Sequence, residues 1–541
     1  MLSHSFEALT PTSFLLRSAE VFGERVAVID GDLTLTYAEL LERCRRLAGA
    51  LVDVDVKPGA RVAVLAPNSH EMLEAHYGVP FAGAVLVPLN IRLSAHEIAF
   101  ILDHSGAEVL IHDESLAALA GEAISRAAGD ISAVSTGATY EALLAQAAGH
   151  QTAVTDEQSP IAVNYTSGTT GRPKGAVYCH RGAYLQSLAM AYHGRLDPDS
   201  AYLWTLPMFH CNGWCFTWAV TAAGGRHVCL RKVEPAPVWQ ALDSQDITHL
   251  CAAPTVLTGM VFAAEATARG DRRVWVATGG APPSPTLLGR ANELVLDVTH
   301  LYGMTETYGP IVVNEWVGEW DSLPEAQRNR LKARQGVGNV VAQRVRVVDG
   351  QGSDVPRDGV TIGEMAVRGN DVMVGYYRDE EATAAAIPDG WFRTGDLAVQ
   401  HTDGYVEIRD RAKDIIISGG ENISSVEVEQ ALLEHSGVLE VAVVPIADQW
   451  WGERPVAFVT MKPGFEIGPA ELREHLEGRL ARFKIPDRFV FADLPKTATG
   501  KIQKFVLRDR LRDSDQEAGT QASSDPTDRP RGARPRGAEH V

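Results

Sequence analysis

Tyr165-Thr166-Ser167-Gly168-Thr169-Thr170-Gly171-Arg172-Pro173-Lys174-Gly175 is the stretch on which the reading of this chain turns. It follows a short apolar run, residues 161–163, that reads as a buried strand entering a turn. Three glycines, four hydroxyl side chains and one lysine in eleven residues offer nothing to a hydrophobic core. Together they can wrap backbone N–H groups and hydroxyls around phosphate oxygens. The P-loop of ordinary NTPases is not matched, because it needs a Gly-Lys-Ser/Thr ending, whereas Pro173 precedes Lys174 and Gly175 follows it.

Four further motifs follow in order: Tyr302-Gly303-Met304-Thr305-Glu306-Thr307, Trp391-Phe392-Arg393-Thr394-Gly395-Asp396, Arg409-Asp410-Arg411-Ala412-Lys413-Asp414 and Pro495-Lys496-Thr497-Ala498-Thr499-Gly500-Lys501. With them the chain resembles, from about residue 10 to about residue 512, the adenylate-forming enzymes. That family includes acyl-CoA synthetases, stand-alone amino-acid-activating domains and firefly-type luciferases. The segment Pro207-Met208-Phe209-His210 resembles the acyl-CoA synthetase branch, in particular ligases of the methylthiopropionyl-CoA ligase type and plant relatives that take aromatic acids. ATP, Mg²⁺ and CoA are the co-substrates and metal that this resemblance implies.

The bulk properties agree with such an enzyme. The 541 residues are 45% hydrophobic and 22% charged, enough for more than one globular domain. Fifty basic against 69 acidic residues give a net charge of −19, which argues against a nucleic-acid partner. The first fourteen residues lack a basic region followed by an apolar core, and no run of about 18 apolar residues suggests a membrane span. A cytoplasmic enzyme is the expectation. Six cysteines in so long a chain fit free thiols better than a disulfide framework. Cys211 and Cys215 beside His210 lack the usual metal-ligand spacing and read as packing thiols.

Along the chain, residues 26–30 and 33–36 read as a hairpin. Thr36 and Glu39 then form a capping box before a helix that buries Leu40, Leu41, Cys44, Leu47, Ala48 and Leu51. Apolar runs at 62–65, 84–87 and 109–111 alternate with helical segments, one opened by the Ser94/Glu97 capping box, which means layered α/β structure with largely parallel strands. Residues 115–150 read as a loosely specified helical connection. Strands are expected at 203–206, 228–230, 249–252 and 274–278, and 295–300 leads into the Tyr302 motif, at the strand ends where open α/β sheets place ligands. From 363–374 and 405–409 the pattern becomes β-rich. Then come a helix at 424–435, a strand at 439–444, a helix at 470–482 and a strand at 488–491. The residues from 513 are polar and read as disordered. The expected organisation is an N-terminal AMP-binding domain over 1–409, with layered α/β sheets and a β-rich subdomain. A hinge at 410–413 joins it to a small α+β C-terminal domain over 414–512 that rotates about that hinge, followed by the tail 513–541.

Attack of a carboxylate on the α-phosphorus of ATP gathers negative charge, so the site must supply donors and cations. The resemblance implies that Thr166, Ser167, Gly168, Thr169, Thr170 and Lys174 hold phosphate, and that Gly280, Ala281, Tyr302, Gly303, Met304 and Thr305 line the nucleotide, with Tyr302 stacking on adenine. Glu306 and Thr166 are the implied Mg²⁺ ligands, oxygen donors suited to a hard cation. Asp396 is implied to hold the ribose hydroxyls, a bidentate task for a carboxylate, and Arg411 a second ribose or phosphate contact. Lys413 occupies the family's hinge position, and Gly419 and Gly420 the loop that leaves room for pantetheine. Lys501 resembles the adenylation lysine, completing an implied catalytic set of Lys501, Glu306 and His210. Histidine at 210 replaces the acid that pairs with a substrate ammonium in amino-acid-activating relatives. The aromatic, weakly polar run Cys211-Asn212-Gly213-Trp214-Cys215-Phe216 beside it favours a small-molecule carboxylic acid with an apolar body.

The leading reading is an acyl-CoA ligase for a short or medium-chain acid. Alternatives are an adenylating enzyme that loads a carrier-protein thiol or oxidises its acyl group, an aromatic-acid CoA ligase, and a nucleotide-binding regulator. The last would need Lys501 or Glu306 lost, and both are present. A homodimer is left open.

Overall fold

The structure, a computed structural model, describes residues 6–166, 173–280, 282–412, 414–418, 421–448, 450–497 and 500–512. Two compact units divide the chain, Met1–Lys413 with Lys496–Lys501, and Asp414–Pro495 with Ile502–Val541. The segment that carries Lys501 thus groups with the first unit, where the sequence reading had kept it with the C-terminal part.

Three sheets of nine, seven and four strands build the described part of the first unit. Their layering follows from alternation along the strands. Val62 and Val64 enter one core while Ala63 and Leu65 enter another, and Tyr202 is separated in the same way from Ala201 and Leu203. A strand buried on both faces must be covered on both. Helices Tyr37–Asp53 and His70–Phe81 contribute Leu40, Leu47, Met72 and Leu73 to the core shared by the sheets. Helices Pro235–Ser244, Pro254–Val261 and Pro285–Glu293 cover the other face of the nine-stranded sheet, and Ala95–Ser105 with Ala117–Arg126 cover that of the seven-stranded one. The layered α/β expectation therefore holds, with mixed rather than purely parallel sheets.

Local signals fare as the physics of each predicts. The hairpin Val26–Asp30 with Leu33–Thr36 is present, and Thr36 and Glu39 form a reciprocal capping box at the head of Tyr37–Asp53. Residues 115–150 hold a strand, Ser132–Ser135, that the sequence reading missed; it is a polar edge strand parallel to Ala107–His112 and half exposed, so it carries no hydrophobic pattern. The strands expected at 203–206 and 228–230 lie at Ala201–Leu203 and Arg226–Val228, fixed by parallel pairing with each other and with Val26–Asp30. The β-rich run expected over 363–374 is a strand only to Val367.

The strand expected to end before the Tyr302 motif instead runs through it, as Leu296–Met304. Its first half pairs in parallel with Val274–Thr278, and from Leu301 onward it pairs antiparallel with Gly309–Val313. The glycine at 303 makes this possible: a Cβ there would lie 1.8 Å from the carbonyl oxygen of Gly309.

In the second unit Ser424 caps helix Ser425–Leu433 through the Glu427 amide, and strands Val438–Asp448 and Arg488–Phe491 are present. Its central strand, Gly452–Met461, escaped the sequence reading because Pro455 interrupts it, and proline argues against an interior strand. Pro455 faces Pro445 in register, so the missing donors coincide at one point of the ladder. The helix expected over 470–482 stops at Leu476, two residues before Gly478 adopts φ +83°.

Candidate active site

The phosphate-loop stretch hangs from an antiparallel hairpin, Pro160–Tyr165 with Gly175–Cys179. Its neck is closed by the Thr166 amide on the Lys174 carbonyl at 2.9 Å, with the Thr166 hydroxyl donating to the same oxygen at 3.4 Å. Ser167, Gly168, Thr169 and Thr170, like Ala281, Lys413, Gly419, Gly420 and the tail from 513, lie outside the described residues. The Lys174 ammonium stands 4.9 Å over the ring of Tyr376. Tyr376 in turn donates its hydroxyl to Glu306 Oε1 at 2.8 Å. It is placed by a two-residue strand, Gly375–Tyr376, registered against Ala176 on the hairpin. Burial raises the Tyr376 phenol, and the Glu306 carboxylate raises it further, so it stays a donor at all working pH.

Glu306 is half-buried in a 3₁₀ turn, Thr305–Thr307, and its backbone oxygen accepts from the Met373 amide. A carboxylate oriented by a phenol offers oxygen donors alone. That chemistry fits Mg²⁺. Tyr376 was not singled out from the sequence; a lone tyrosine on a two-residue strand carries no pattern. Tyr376→Phe should cut adenylation about tenfold and raise the Mg²⁺ concentration needed for half-maximal rate, since one oriented hydrogen bond to a charged group is worth about 1.5–3 kcal/mol. Pyrophosphate release against Mg²⁺ checks this, and an unchanged Mg²⁺ dependence would count against the orienting role.

A second group forms where two antiparallel strands, Phe392–Gln400 and Val406–Arg411, set Asp396 directly opposite Arg411. Asp396 is only 3% exposed; its Oδ1 accepts from Arg411 Nε at 3.0 Å and its Oδ2 from the Tyr302 hydroxyl at 2.5 Å. Three residues drawn from three separate motifs thus form one hydrogen-bonded unit. Carboxylate oxygens have a second lone pair each, so Asp396 keeps acceptor capacity for a diol while Arg411 and Tyr302 fix its plane. Gly303 and Met304 continue the strand that carries Tyr302, and Gly280, at φ +95°, follows the end of Val274–Thr278 on the neighbouring strand.

The third group is built on strain. Cys211, Asn212, Gly213, Trp214 and Cys215 all lie in the left-handed region, with φ between +45° and +61°. Left-handed backbone costs about 1–2 kcal/mol per non-glycine residue, so this turn persists only because its surroundings enforce it. Asn212 is fully buried; its amide donates to Asn164 Oδ1 at 3.2 Å and its Oδ1 accepts from Asn164 Nδ2 at 2.5 Å. Asn164 sits on the strand that enters the phosphate loop, so the pair ties that strand to the turn. Gly213 is the one position of the turn where the Trp204 ring leaves no room, a Cβ falling 2.6 Å from it. Trp214 packs beside Gly279 and Gly309, where a Cβ would come within 2.9 and 3.0 Å of it. None of this backbone is legible in the sequence.

His210 precedes the turn. Burial, with the Lys501 cation as a second cause, pushes its imidazole down to about 4, so it is neutral at pH 7. Lys501 belongs to the same unit: its amide donates to Thr497 Oγ1 at 3.0 Å, its carbonyl accepts from the Thr497 amide, and the preceding Gly500 carbonyl accepts from Thr255 Oγ1 at 2.8 Å. The Cys211 thiol, 3.6 Å from His210 Nε2, is pushed by burial up to about 12, and the six cysteines are buried free thiols.

Burial likewise holds His76, His180 and His300 at about 4 and His227 at about 3. An unfolded chain protonates these rings near 6.5. Their contribution to stability is therefore complete above about pH 6.5 and falls as pH drops toward about 4, because the unfolded chain binds more protons in that window. His70, raised by Asp30 and nearby acids despite its burial, and Asp371, raised by burial to about 7, act in the opposite sense. Burial also lowers His104, His249 and His475 and raises Glu74; the depressed histidines outnumber the groups that act in the opposite sense, so the melting temperature should fall from pH 7 to pH 5 with net proton uptake on unfolding. A flat profile would contradict this.

Comparison with known proteins bears on the chain as a whole. The AMP-binding enzyme family matches residues 15–377, and the AMP-binding enzyme C-terminal domain matches residues 427–501. The acetate–CoA ligase CCL3 of Humulus lupulus is 44% identical, over 94% of this chain and 96% of that protein. The peroxisomal acetate/butyrate–CoA ligase AAE7 of Arabidopsis thaliana is 43% identical over 94% and 95%. Among solved structures, ATP-bound MatB from Rhodopseudomonas palustris superposes with a TM-score of 0.83 at 28% identity, covering 93% of this chain and 99% of that one. Among the described residues, no helix is long and apolar enough to cross a membrane.

Proposed function

The chain belongs to the AMP-binding enzyme family, and from that premise we propose that it is the ligase of a short-chain, apolar carboxylic acid. The reaction is ATP-dependent and AMP-forming, with Mg²⁺ and CoA as metal and co-substrate. A carboxylate oxygen attacks the α-phosphorus and expels pyrophosphate; the CoA sulfur then attacks the acyl carbon and expels AMP. Bound Mg²⁺ would neutralise phosphate charge, held by Glu306 with the Thr166 hydroxyl.

The observation that carries the substrate reading is the strained turn. It sets Trp214 against Gly279 and Gly309 and leaves a neutral His210 where an amino-acid substrate needs an acid. An aromatic wall with no counter-charge suits a small acid with an apolar body. Relatives named for acetate, butyrate and 2-methylpropanoate support the same class. An aromatic acid is the second reading, favoured by 40% identity to the benzoate–CoA ligase of Arabidopsis thaliana.

In this reading Lys174 and the hydroxyls of the phosphate loop, Ser167, Thr169 and Thr170, receive phosphate. Tyr302, Asp396 and Arg411 hold adenosine, and Lys501 neutralises charge in the first half-reaction. Residues 410–413 act as a hinge at Lys413 for the part 414–512, whose Gly419 and Gly420 face pantetheine during thiol attack. We also assign the protein to short-chain fatty-acid metabolism in the cytoplasm, where six reduced thiols persist. Recovery in a peroxisomal fraction would overturn that location. The test of substrate is pyrophosphate release across C2–C16, branched, sulfur-containing and aromatic acids, with and without CoA. The reading expects the highest kcat/KM among C2–C5 acids, and a preference for benzoate would establish the second reading.

A further inference from the structure

Away from the nucleotide and acyl groups, strand Val26–Asp30 ends beside the N-terminus of helix His70–Phe81, and three potential ligands meet there. Asp30 Oδ2 accepts from the His70 amide at 3.0 Å and lies 2.7 Å from His70 Nδ1. Glu71 Oε2 lies 3.3 Å from the same Nδ1, and the three donor atoms fall within 4.8 Å of one another. The single N–H on Nδ1 is spent on Asp30. Glu71 Oε2, on a residue 7% exposed, is therefore a buried carboxylate oxygen without a hydrogen-bond partner among the described residues, and it points into the cluster. An orphaned charged oxygen is costly, and proteins seldom keep one without a ligand, water or ion to satisfy it.

We propose that Asp30, His70 and Glu71 form a second divalent-cation site, independent of the Mg²⁺ that accompanies ATP, for a transition-type ion such as Zn²⁺, Co²⁺ or Mn²⁺. The ion takes the place of the Nδ1 proton and answers all three donors at once. Two donors of one tetrahedral ion stand about 3.4 Å apart, so the observed 2.7 Å must open by about 0.7 Å while the observed 3.3 Å is already close to that spacing. A histidine nitrogen with two carboxylates selects against Mg²⁺ and Ca²⁺, which prefer oxygen throughout. The side chains are 8–13% exposed, which leaves a path for the ion and for water in the remaining positions.

Glu74, one turn along the helix, adds negative field but is engaged by Arg43 and Tyr140. Arg231 faces Asp30 and opposes a cation, but its guanidinium is bound to Asp113 at 2.5 Å. Cys229 lies near the same acids with its thiol kept protonated by burial, and it is not among the donors. Two residues before His70, Asn68 holds the carbonyls of Trp204 and Leu206 and the amide of Met208, the segment that leads to His210. An ion at this site thus fastens the helix end that anchors the acyl-side segment.

The test uses the full-length, untagged chain after chelator treatment, titrated with Co²⁺ without nucleotide and followed by visible absorption and calorimetry. One Co²⁺ per chain is expected, displaced by Zn²⁺ but not by millimolar Mg²⁺, with affinity falling as the pH is lowered and protons compete for His70. Bound ion should raise the melting temperature. Glu71→Gln and His70→Asn should each weaken binding at least tenfold while ATP–pyrophosphate exchange is retained, which shows that the variants fold. Absence of stoichiometric binding, equal displacement by Mg²⁺, or unchanged affinity in both variants overturns the proposal.

Discussion

Lys501→Ala is expected to slow acyl-AMP formation by about a hundredfold or more, the scale for losing one preorganised charge contact in a transition state. Thioester formation from supplied acyl-AMP should change little. The physical reason is that the two half-reactions accumulate charge at different places. In the first, the carboxylate and the triphosphate approach one another and pyrophosphate departs, so a cation near the acyl side lowers the barrier. In the second, a neutral or weakly charged sulfur meets an acyl carbon. The Lys501 backbone is fixed through Thr497 and, at Gly500, through Thr255, so truncating the side chain leaves the loop closed. The charge of Lys501 already reaches His210 in the resting protein, where it helps to hold the imidazole neutral. Measured separately, an equal loss in both half-reactions would mean that the substitution disturbs folding or the acyl pocket instead.

Asp396→Asn should raise the KM for ATP by about ten- to a hundredfold, the equivalent of one charge-assisted hydrogen bond worth about 1.5–3 kcal/mol. The substitution keeps the shape of the side chain and removes its charge. An amide must then place an NH₂ against either the Tyr302 hydroxyl or the Arg411 guanidinium, both of which donate to Asp396 now. Against Arg411 donor faces donor, and against Tyr302 the hydroxyl must turn from donor to acceptor. The melting temperature should drop as well, since a 3%-exposed site has little water to compensate. The KM for the carboxylic acid should stay within about twofold, because additivity holds where no partner is shared. A larger effect on the acid than on ATP would remove Asp396 from the nucleotide site.

What the sequence made legible, and what it did not, divides along physical lines. Local chemistry reads well: the Thr36/Glu39 and Ser94/Glu97 capping boxes are both reciprocal in the structure, because a cap depends on residues three apart. The alternation of apolar runs with helical segments gave the layered α/β class. The polar edge strand Ser132–Ser135 and the Pro-containing strand Gly452–Met461 escaped, since the partner strand rather than local pattern stabilises them. At the site, motif residues such as Asp396 and Glu306 were identifiable singly. Their ties were not: Tyr376 on Glu306 and Asn164 on Asn212 join residues 70 and 48 positions apart. The left-handed turn 211–215 is the least legible feature, for only Gly213 and Asn212 belong to types that favour such backbone. It is enforced from outside by Asn164 and the Trp204 ring.

An acyl-adenylate lies between the acid and its thioester in this reaction. The most direct measurement uses butyrate labelled with ¹⁸O in its carboxylate, incubated with the enzyme, Mg²⁺, ATP and CoA, followed by mass spectrometry of the products. One ¹⁸O atom should appear in AMP for each thioester formed, with none in pyrophosphate, because the attacking oxygen stays on the α-phosphorus when sulfur displaces AMP. Label in inorganic phosphate with release of ADP, or thioester formed with unlabelled AMP, would contradict the account.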